Sequence, residues 1–312
     1  MSKPSNGAGF GPGAQIRLVL HGTQADRQDI RDLVAALRDE GHEIDVRVTW
    51  EAGHARRFAA EVAETAKVVV AAGGDGTVSE VAEGLLDVEN ASAALAVLPL
   101  GTANDFAAAA GIPEDDVASA LRLATVSSSI HDIDVLRCGD HIVLNMATAG
   151  PGTQVTVETP DGLKRALGVL SYTVSGIAQI GSIEAQEGSL RAPEFEWSGR
   201  FLALALGNGR QAGGGAVLCP DARVDDGLLD LRVIPEGDGA GRLLIDSLLH
   251  GRDITLEENS IGHRAPWVEI ETKDTLQVNL DGEPVEGTRF RFEVDPGALR
   301  AVLPKGSPLL KG

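Results

Sequence analysis

Gly73-Gly74-Asp75-Gly76-Thr77 follows directly on the apolar run Val68 to Ala72 and precedes a segment of helical spacing, Val78 to Leu86. Three glycines in five positions free the backbone to take positive φ and to lie against a ligand. A helix beginning near Val78 would point its N–H groups back at the loop and make an anion site. Thr77 would cap that helix or donate to a phosphate oxygen. Asp75 would repel a bare phosphate, so it implies a bridging cation or a hydroxyl to orient. Taken alone, the stretch also reads as a tight βα turn. A second loop repeats the logic: Pro99-Leu100-Gly101-Thr102-Ala103-Asn104-Asp105-Phe106 follows the apolar run Leu95 to Leu98. Two such loops after parallel strands should face one crevice, although Asn104 and Asp105 are also ordinary N-caps.

Two acidic turns lie further along, Arg223-Val224-Asp225-Asp226-Gly227-Leu228 and Asp281-Gly282-Glu283. By local sequence the first is a type I turn and the second a hairpin turn. A carboxylate at a turn between two strands can nevertheless be held rigidly enough to act as a base. Asp281 and Glu283 are rivals for that role, and strand alternation would put both on one side. No G-x-x-x-x-G-K-[ST] and no G-x-S-x-G occurs, so neither a P-loop nor a nucleophile elbow is present. The seven histidines are scattered, with His131 read as structural.

Elements must position these loops. Ile16 to Leu20, Ile44 to Val48, Val68 to Ala72 and Leu95 to Leu98 read as short strands. Between them Ile30, Leu33, Val34 and Leu37 follow helical spacing up to Gly41, Ala55 to Thr65 reads as a helix, and Val78 to Leu86 keeps Glu80 and Glu83 off its apolar face. This alternation predicts an α/β domain with an open parallel sheet, whose ligands bind at the carboxyl ends of the strands. After about residue 130 the texture changes to short strand candidates separated by Gly, Pro and Asp-Gly turns: Ile133 to Arg137, Ile142 to Thr148, Phe201 to Leu206, Leu228 to Ile234, Val268 to Glu271, Leu276 to Leu280 and Phe290 to Val294. That predicts a mostly antiparallel β domain with helical inserts around Leu163 to Ile180 and Ala240 to Leu249. The apolar face of the stretch Gly162 to Gly181, with Lys164 and Arg165 at its start, suits either packing on the β domain or contact with lipid.

Composition narrows the function. The 312 residues carry a formal charge of -19, which weighs against nucleic acid and against purely electrostatic docking on anionic membranes. Cys138 and Cys219 lie far apart without ligand-spaced neighbours and read as small core residues. Residues 1–14 lack a signal-peptide h-region, and no apolar run reaches the ~18 residues of a membrane span, so a cytoplasmic protein is expected. The sequon at Asn90-Ala91-Ser92 then carries no meaning.

Taken together, the two glycine loops resemble the diacylglycerol-kinase catalytic domain. Arg47-Val48-Thr49-Trp50, the run Gly207-Asn208-Gly209-Arg210-Gln211-Ala212-Gly213-Gly214-Gly215, and Asn279-Leu280-Asp281-Gly282-Glu283-Pro284 narrow the resemblance to the YegS-like bacterial lipid kinases, from about Ile16 to Leu310. The resemblance implies a nucleotide domain over residues 1–131, a β sandwich carrying lipid and metal sites over 132–298, and a return of 299–312 to the first domain. It also implies transfer of the γ-phosphoryl group of ATP to a lipid hydroxyl, with transient contact at a membrane surface. By the same resemblance Thr49, Gly74, Asp75, Gly76, Thr77, Val78, Ser79, Glu80 and Thr102 would contact ATP, and Glu283 would accept the proton of the lipid hydroxyl. Mg²⁺, with Ca²⁺ able to substitute, would be held by the Asp226 carboxylate and the carbonyls of Arg223 and Leu228, an oxygen-only set suited to a hard cation. Two departures stand out: His21-Gly22 where many members carry Asn soon after the first strand, and Ser79 where Asn is usual. NAD kinases look similar in the Gly-Gly-Asp-Gly loop and the sandwich, but the second loop resembles the lipid branch. A nucleotide-binding regulator without turnover would have no need of Asp75, Asp226 and Glu283 together.

Overall fold

The computed structural model describes residues 13–126, 129–150, 185–237 and 260–311. Two units divide the chain, Met1–Ile133 with Gly297–Gly312, and Asp134–Pro296.

In the first unit the apolar runs become strands β1 (Gln15–Leu20), β2 (Glu43–Val48), β3 (Val68–Gly73) and β4 (Ala94–Pro99). They alternate with helices α1 (Gln28–Asp39), α2 (His54–Ala60), α3 (Asp75–Leu86), α4 (Asp105–Ala110) and α5 (Val117–Val126). The strands pair in parallel in the order β2-β1-β3-β4, with Leu18 beside Val70 and Val70 beside Ala96. Every residue of β3 and β4 is buried, as expected of parallel strands covered on both faces. On α1 the buried residues are Ile30, Val34 and Leu37, one helical stripe. Gly41, at φ 95°, takes the left-handed conformation that ends the helix. The helix expected over Ala55 to Thr65 stops at Ala60, and the chain tightens into i→i+3 turns at Val62, Ala63 and Thr65. Because β1 pairs with both β2 and β3, the strand order reverses between β1 and β3, the switch point at which open α/β sheets bind ligands.

The second unit is antiparallel. Its strands are β5 (Ile130–Cys138, beginning in the first unit), β6 (His141–Val143), β7 (Met146–Ala149), β8 (Gln186–Ala192), β9 (Phe195–Gly207), β10 (Gln211–Ala212), β11 (Ala216–Val217), β12 (Leu229–Pro235), β13 (Ile261–Ala265), β14 (Trp267–Leu280) and β15 (Glu283–Val302). They form a sandwich-like array in the order β13-β12-β9-β7-β14-β15, with β8 paired to both β9 and β14 and β6 to β5. Phe201, Leu206, Leu231, Val268, Val278 and Phe292 lie at its core. The stretches Val268 to Glu271 and Leu276 to Leu280 are one strand with a register shift between them. There the Thr272 hydroxyl donates to the Asp274 carbonyl at 2.8 Å and the extra residues bulge out. Ile142 to Thr148 is instead broken into β6 and β7. The last residues of β15 lie in the first unit, where Ala301 pairs in parallel with Leu95. Cys138 and Cys219 are free and buried, each thiol pushed up by burial. The expected helical inserts around Leu163 to Ile180 and Ala240 to Leu249 lie outside the described residues. Among the described residues no helix is long and apolar enough to cross a membrane.

Candidate functional site

The first glycine loop is shorter than its sequence suggests, because α3 begins at Asp75 and not at Val78. Gly74 is the N-cap residue and no side chain caps the helix, so Thr77 does not have the capping role. Thr77 is instead buried, its hydroxyl packed under Gly73, where a Cβ would meet it at 2.4 Å. Val78 is buried as well, and the Glu80 carboxylate accepts the N–H of Ala55 at 3.0 Å at the start of α2. Gly74, Asp75, Gly76 and Ser79 are exposed or half-buried.

The two loops do meet. The Leu100 N–H donates to the Gly73 carbonyl at 2.9 Å, and a Cβ on Gly101 would lie 2.4 Å from the Gly74 Cα. Only glycine at position 101 allows this approach, and a Cβ on Gly74 would sit 3.2 Å from the Gly101 Cα, so that the loop would have to give. Asn104 sits in the left-handed region at φ 52°. Its side-chain oxygen accepts the Gly101 N–H at 2.9 Å and its amide donates to the Gly101 carbonyl at 3.2 Å. Thr102 is exposed on this loop. On the neighbouring strand end the buried Thr49 hydroxyl accepts the Gly22 N–H at 3.1 Å.

Asp75 accepts the Phe106 N–H at 3.3 Å. Burial, and next the charge of Asp105, push its carboxyl above the usual range. Glu114 is pushed the same way by the burial it has and by Asp115, Asp105 and Asp75, against a hydrogen bond from Asn104. Nothing in the sequence singled out Glu114; only the fold brings it to this cluster. Among the described residues no three His, Cys, Asp or Glu side chains converge into a metal cage. A cation there would have to share its coordination with a phosphate ligand, the habit of Mg²⁺.

In the second unit the two rival carboxylates separate. Asp281 (φ 47°) and Gly282 (φ 104°) form a two-residue turn of the I′ kind, with Leu280 paired to Glu283. The expected strand alternation through Asp281 therefore does not apply. The Asp281 carboxylate accepts the backbone N–H groups of Leu144 (2.6 Å), Asn145 (3.0 Å) and Met146 (2.8 Å) and pins β14 to the start of β7. Glu283 is 72 % exposed, with His141 Nδ1 4.0 Å away. The geometry leaves Glu283 available and commits Asp281 to structure.

At the other acidic turn the Asp226 carboxylate, 5 % exposed, accepts the Leu228 N–H at 3.0 Å and is paired with the Arg264 guanidinium. Asp230, 2 % exposed, lies 3.5 Å from Arg232 and 3.6 Å from Arg264. Asp134 accepts the Gly227 N–H at 2.7 Å and ties the turn to β5. A divalent ion on Asp226 with the Arg223 and Leu228 carbonyls would have to share that carboxylate with the Arg264 guanidinium and the Leu228 N–H.

The diacylglycerol kinase catalytic domain model matches residues 16–138, and the YegS C-terminal NAD kinase beta sandwich-like domain matches residues 145–303. A Pseudomonas aeruginosa protein named "Probable lipid kinase YegS-like" is 50 % identical over 299 residues, covering 95 % of this chain and 97 % of its own. A protein of the same name from Xanthomonas euvesicatoria is 45 % identical over 306 residues, covering 95 % and 98 %. The chain belongs to the YegS-like family of diacylglycerol-kinase-type kinases. A Bacillus anthracis diacylglycerol kinase structure shares the fold of this kinase, with a TM-score of 0.73 at 22 % identity over 94 % of this chain and 98 % of that one. A second structure from the same organism reaches 0.79 at 24 % identity, over 94 % and 98 %. Family membership makes the paired glycine loops the part of the kinase where nucleotide chemistry is to be sought.

Proposed function

We propose that this kinase transfers the γ-phosphoryl group of ATP to a lipid hydroxyl. The observation that carries the proposal is the contact of Gly74 with Gly101 at the carboxyl ends of β3 and β4, with Asp75 in the first turn of α3. That turn offers helix N–H groups and a positive dipole end to phosphate oxygens. Gly74, Asp75, Gly76 and Thr102 are the proposed phosphate contacts, and Thr49 contacts the nucleotide from the neighbouring strand end. Asp75 and Asp105 would hold a Mg²⁺ ion arriving with ATP, which supplies charge neutralisation on the phosphates when bound. In the transfer the lipid hydroxyl oxygen forms a bond to the γ-phosphorus, the bond from that phosphorus to the β–γ bridging oxygen breaks, and ADP leaves. Glu283 takes the hydroxyl proton, a role supported by family resemblance and by the engagement of Asp281 elsewhere.

Labelled ATP incubated with the purified chain, diacylglycerol-type lipids in detergent micelles, and separately NAD, tests the reading. Label in the lipid phase is expected, with Glu283→Gln slowing transfer by ~10²–10⁴-fold at unchanged ATP affinity. Label in NAD, or in neither acceptor, would overturn the substrate class.

A further inference from the structure

Two of the large hydrophobic side chains exposed among the described residues flank Thr49: Val48 at 42 % and Trp50 at 82 %. Val48 is the last residue of β2 and Trp50 follows two residues later, with the buried Thr49 between these two exposed side chains. An indole this exposed forgoes the burial that would ordinarily stabilise it, yet its backbone is fixed. The Trp50 backbone N–H donates to His54 Nδ1 at 3.2 Å. His54 Nε2 then faces Glu51 Oε1 at 3.0 Å.

A run of hydrogen bonds joins this strand end to the phosphate loops. Thr49 holds Gly22 at 3.1 Å, the Gln24 amide donates to the Leu100 carbonyl at 3.3 Å, and Leu100 N–H reaches Gly73 at 2.9 Å. Neighbouring strands lie ~4.8 Å apart, so β2 stands about two spacings from β3. A nucleotide with its phosphates on α3 would have to bridge about that span to bring its base to β2. We infer that Trp50, with Val48 beside it, is the stacking surface for the purine of the nucleotide. This rests on the nucleotide reading above and extends it to the base. A flat purine suits the indole face, and such a stack acts on binding in the ground state and the transition state alike.

Calorimetric titration with ADP and, separately, with inorganic tripolyphosphate tests this on wild type, Trp50→Ala and Trp50→Phe. Trp50→Ala should bind ADP roughly 5- to 150-fold more weakly, the factor one base–aromatic stack supplies. Its tripolyphosphate affinity should be unchanged, and Trp50→Phe should recover most of the ADP affinity. In turnover the ATP KM should rise while kcat holds. Equal ADP affinity in wild type and Trp50→Ala would overturn the inference and leave the kinase reading standing. Wild type that binds neither ADP nor tripolyphosphate would sink both. Loss of binding to phosphatidylglycerol vesicles in Trp50→Ala, with ADP affinity intact, would assign the side chain to a lipid surface instead.

Discussion

Two groups of carboxylates in this kinase sit in opposite electrostatic settings. In the first unit burial and the charge of Asp105 act on both Asp75 and Glu114, and Asp115 and Asp75 act on Glu114 as well, relieved by backbone and amide N–H groups. In the second unit Asp226 and Asp230 are more deeply buried, yet Arg264 and Arg232 stand against them. Burial still pushes the Asp230 carboxyl upward against both arginines. Carboxylates held close store repulsion that a bound cation can relieve, a setting enriched at functional sites. The glycine-loop cluster is in that setting, and the Asp226 turn, with Arg264 against it, is not.

The hardest test of the contrast is Asp75→Asn. It preserves an acceptor for the Phe106 N–H while removing the charge. We predict that transfer falls by ~10²–10³-fold, as for loss of an electrostatic catalytic group, while the melting temperature rises. A folded variant with normal turnover, or one that melts lower than wild type, would place Asp75 with the structural carboxylates.

Arg264→Gln should do the reverse. It strands the Asp226 charge in a site 5 % exposed, and loss of one partner of such a pair costs about 3 kcal/mol, the low end for buried pairs because Arg264 is itself half in water. Urea unfolding should show that loss, and Asp226→Asn added to Arg264→Gln should recover most of it. Additive losses in the double variant would mean that the two side chains do not act as a pair.

The contrast also marks what the residues alone disclosed. The strands Val68 to Ala72 and Leu95 to Leu98 were legible because a parallel strand buried on both faces is a continuous apolar run, and it was the pairing of two glycine loops after such strands, more than either loop alone, that pointed to one crevice. Gly74 and Gly101 meet as two loops after parallel strands should. Partners from distant sequence were not legible. Glu114 reaches Asp75 only through the fold of the second loop, and Arg264 opposes Asp226 from β13, 38 positions away. The Asp281-Gly282 pair could have been read further: Asp-Gly between alternating apolar residues signals an I′ turn. That alone separates Asp281 from Glu283. Local periodicity finds elements and turns; charge compensation belongs to tertiary structure.

A smaller effect follows from Arg264 as the counter-ion. Chelator should shift the wild-type melting temperature by no more than about 1 °C, because the Arg264 guanidinium, which no chelator withdraws, already answers the Asp226 charge. If ATP is used with its cation, as proposed above, transfer should still stop on chelation. A drop of several degrees in wild type that Asp226→Asn lacks would show that a metal holds this turn.

The smallest expected effect is in the pH dependence of stability, and its sign follows from the raised carboxyls. Asp75 and Glu114 bind protons more tightly folded than unfolded, so in the range just above the ordinary carboxylate value the native state holds more protons. Stability therefore falls as pH rises through their folded pKa values, and no penalty remains below the unfolded value. Surface carboxylates paired with arginine, such as Asp87 with Arg56 and Glu269 with Arg191, shift downward and contribute the opposite slope at lower pH. The difference between two proteins cancels that background. For wild type against the double variant Asp75→Asn with Glu114→Gln, urea midpoints between about pH 4 and pH 8 should coincide at the acid end. The variant should gain as pH rises and then hold a constant lead. A lead that is the same at every pH would mean that repulsion among these carboxylates does not strain the fold, and the contrast between the two clusters would then rest on Arg264 alone.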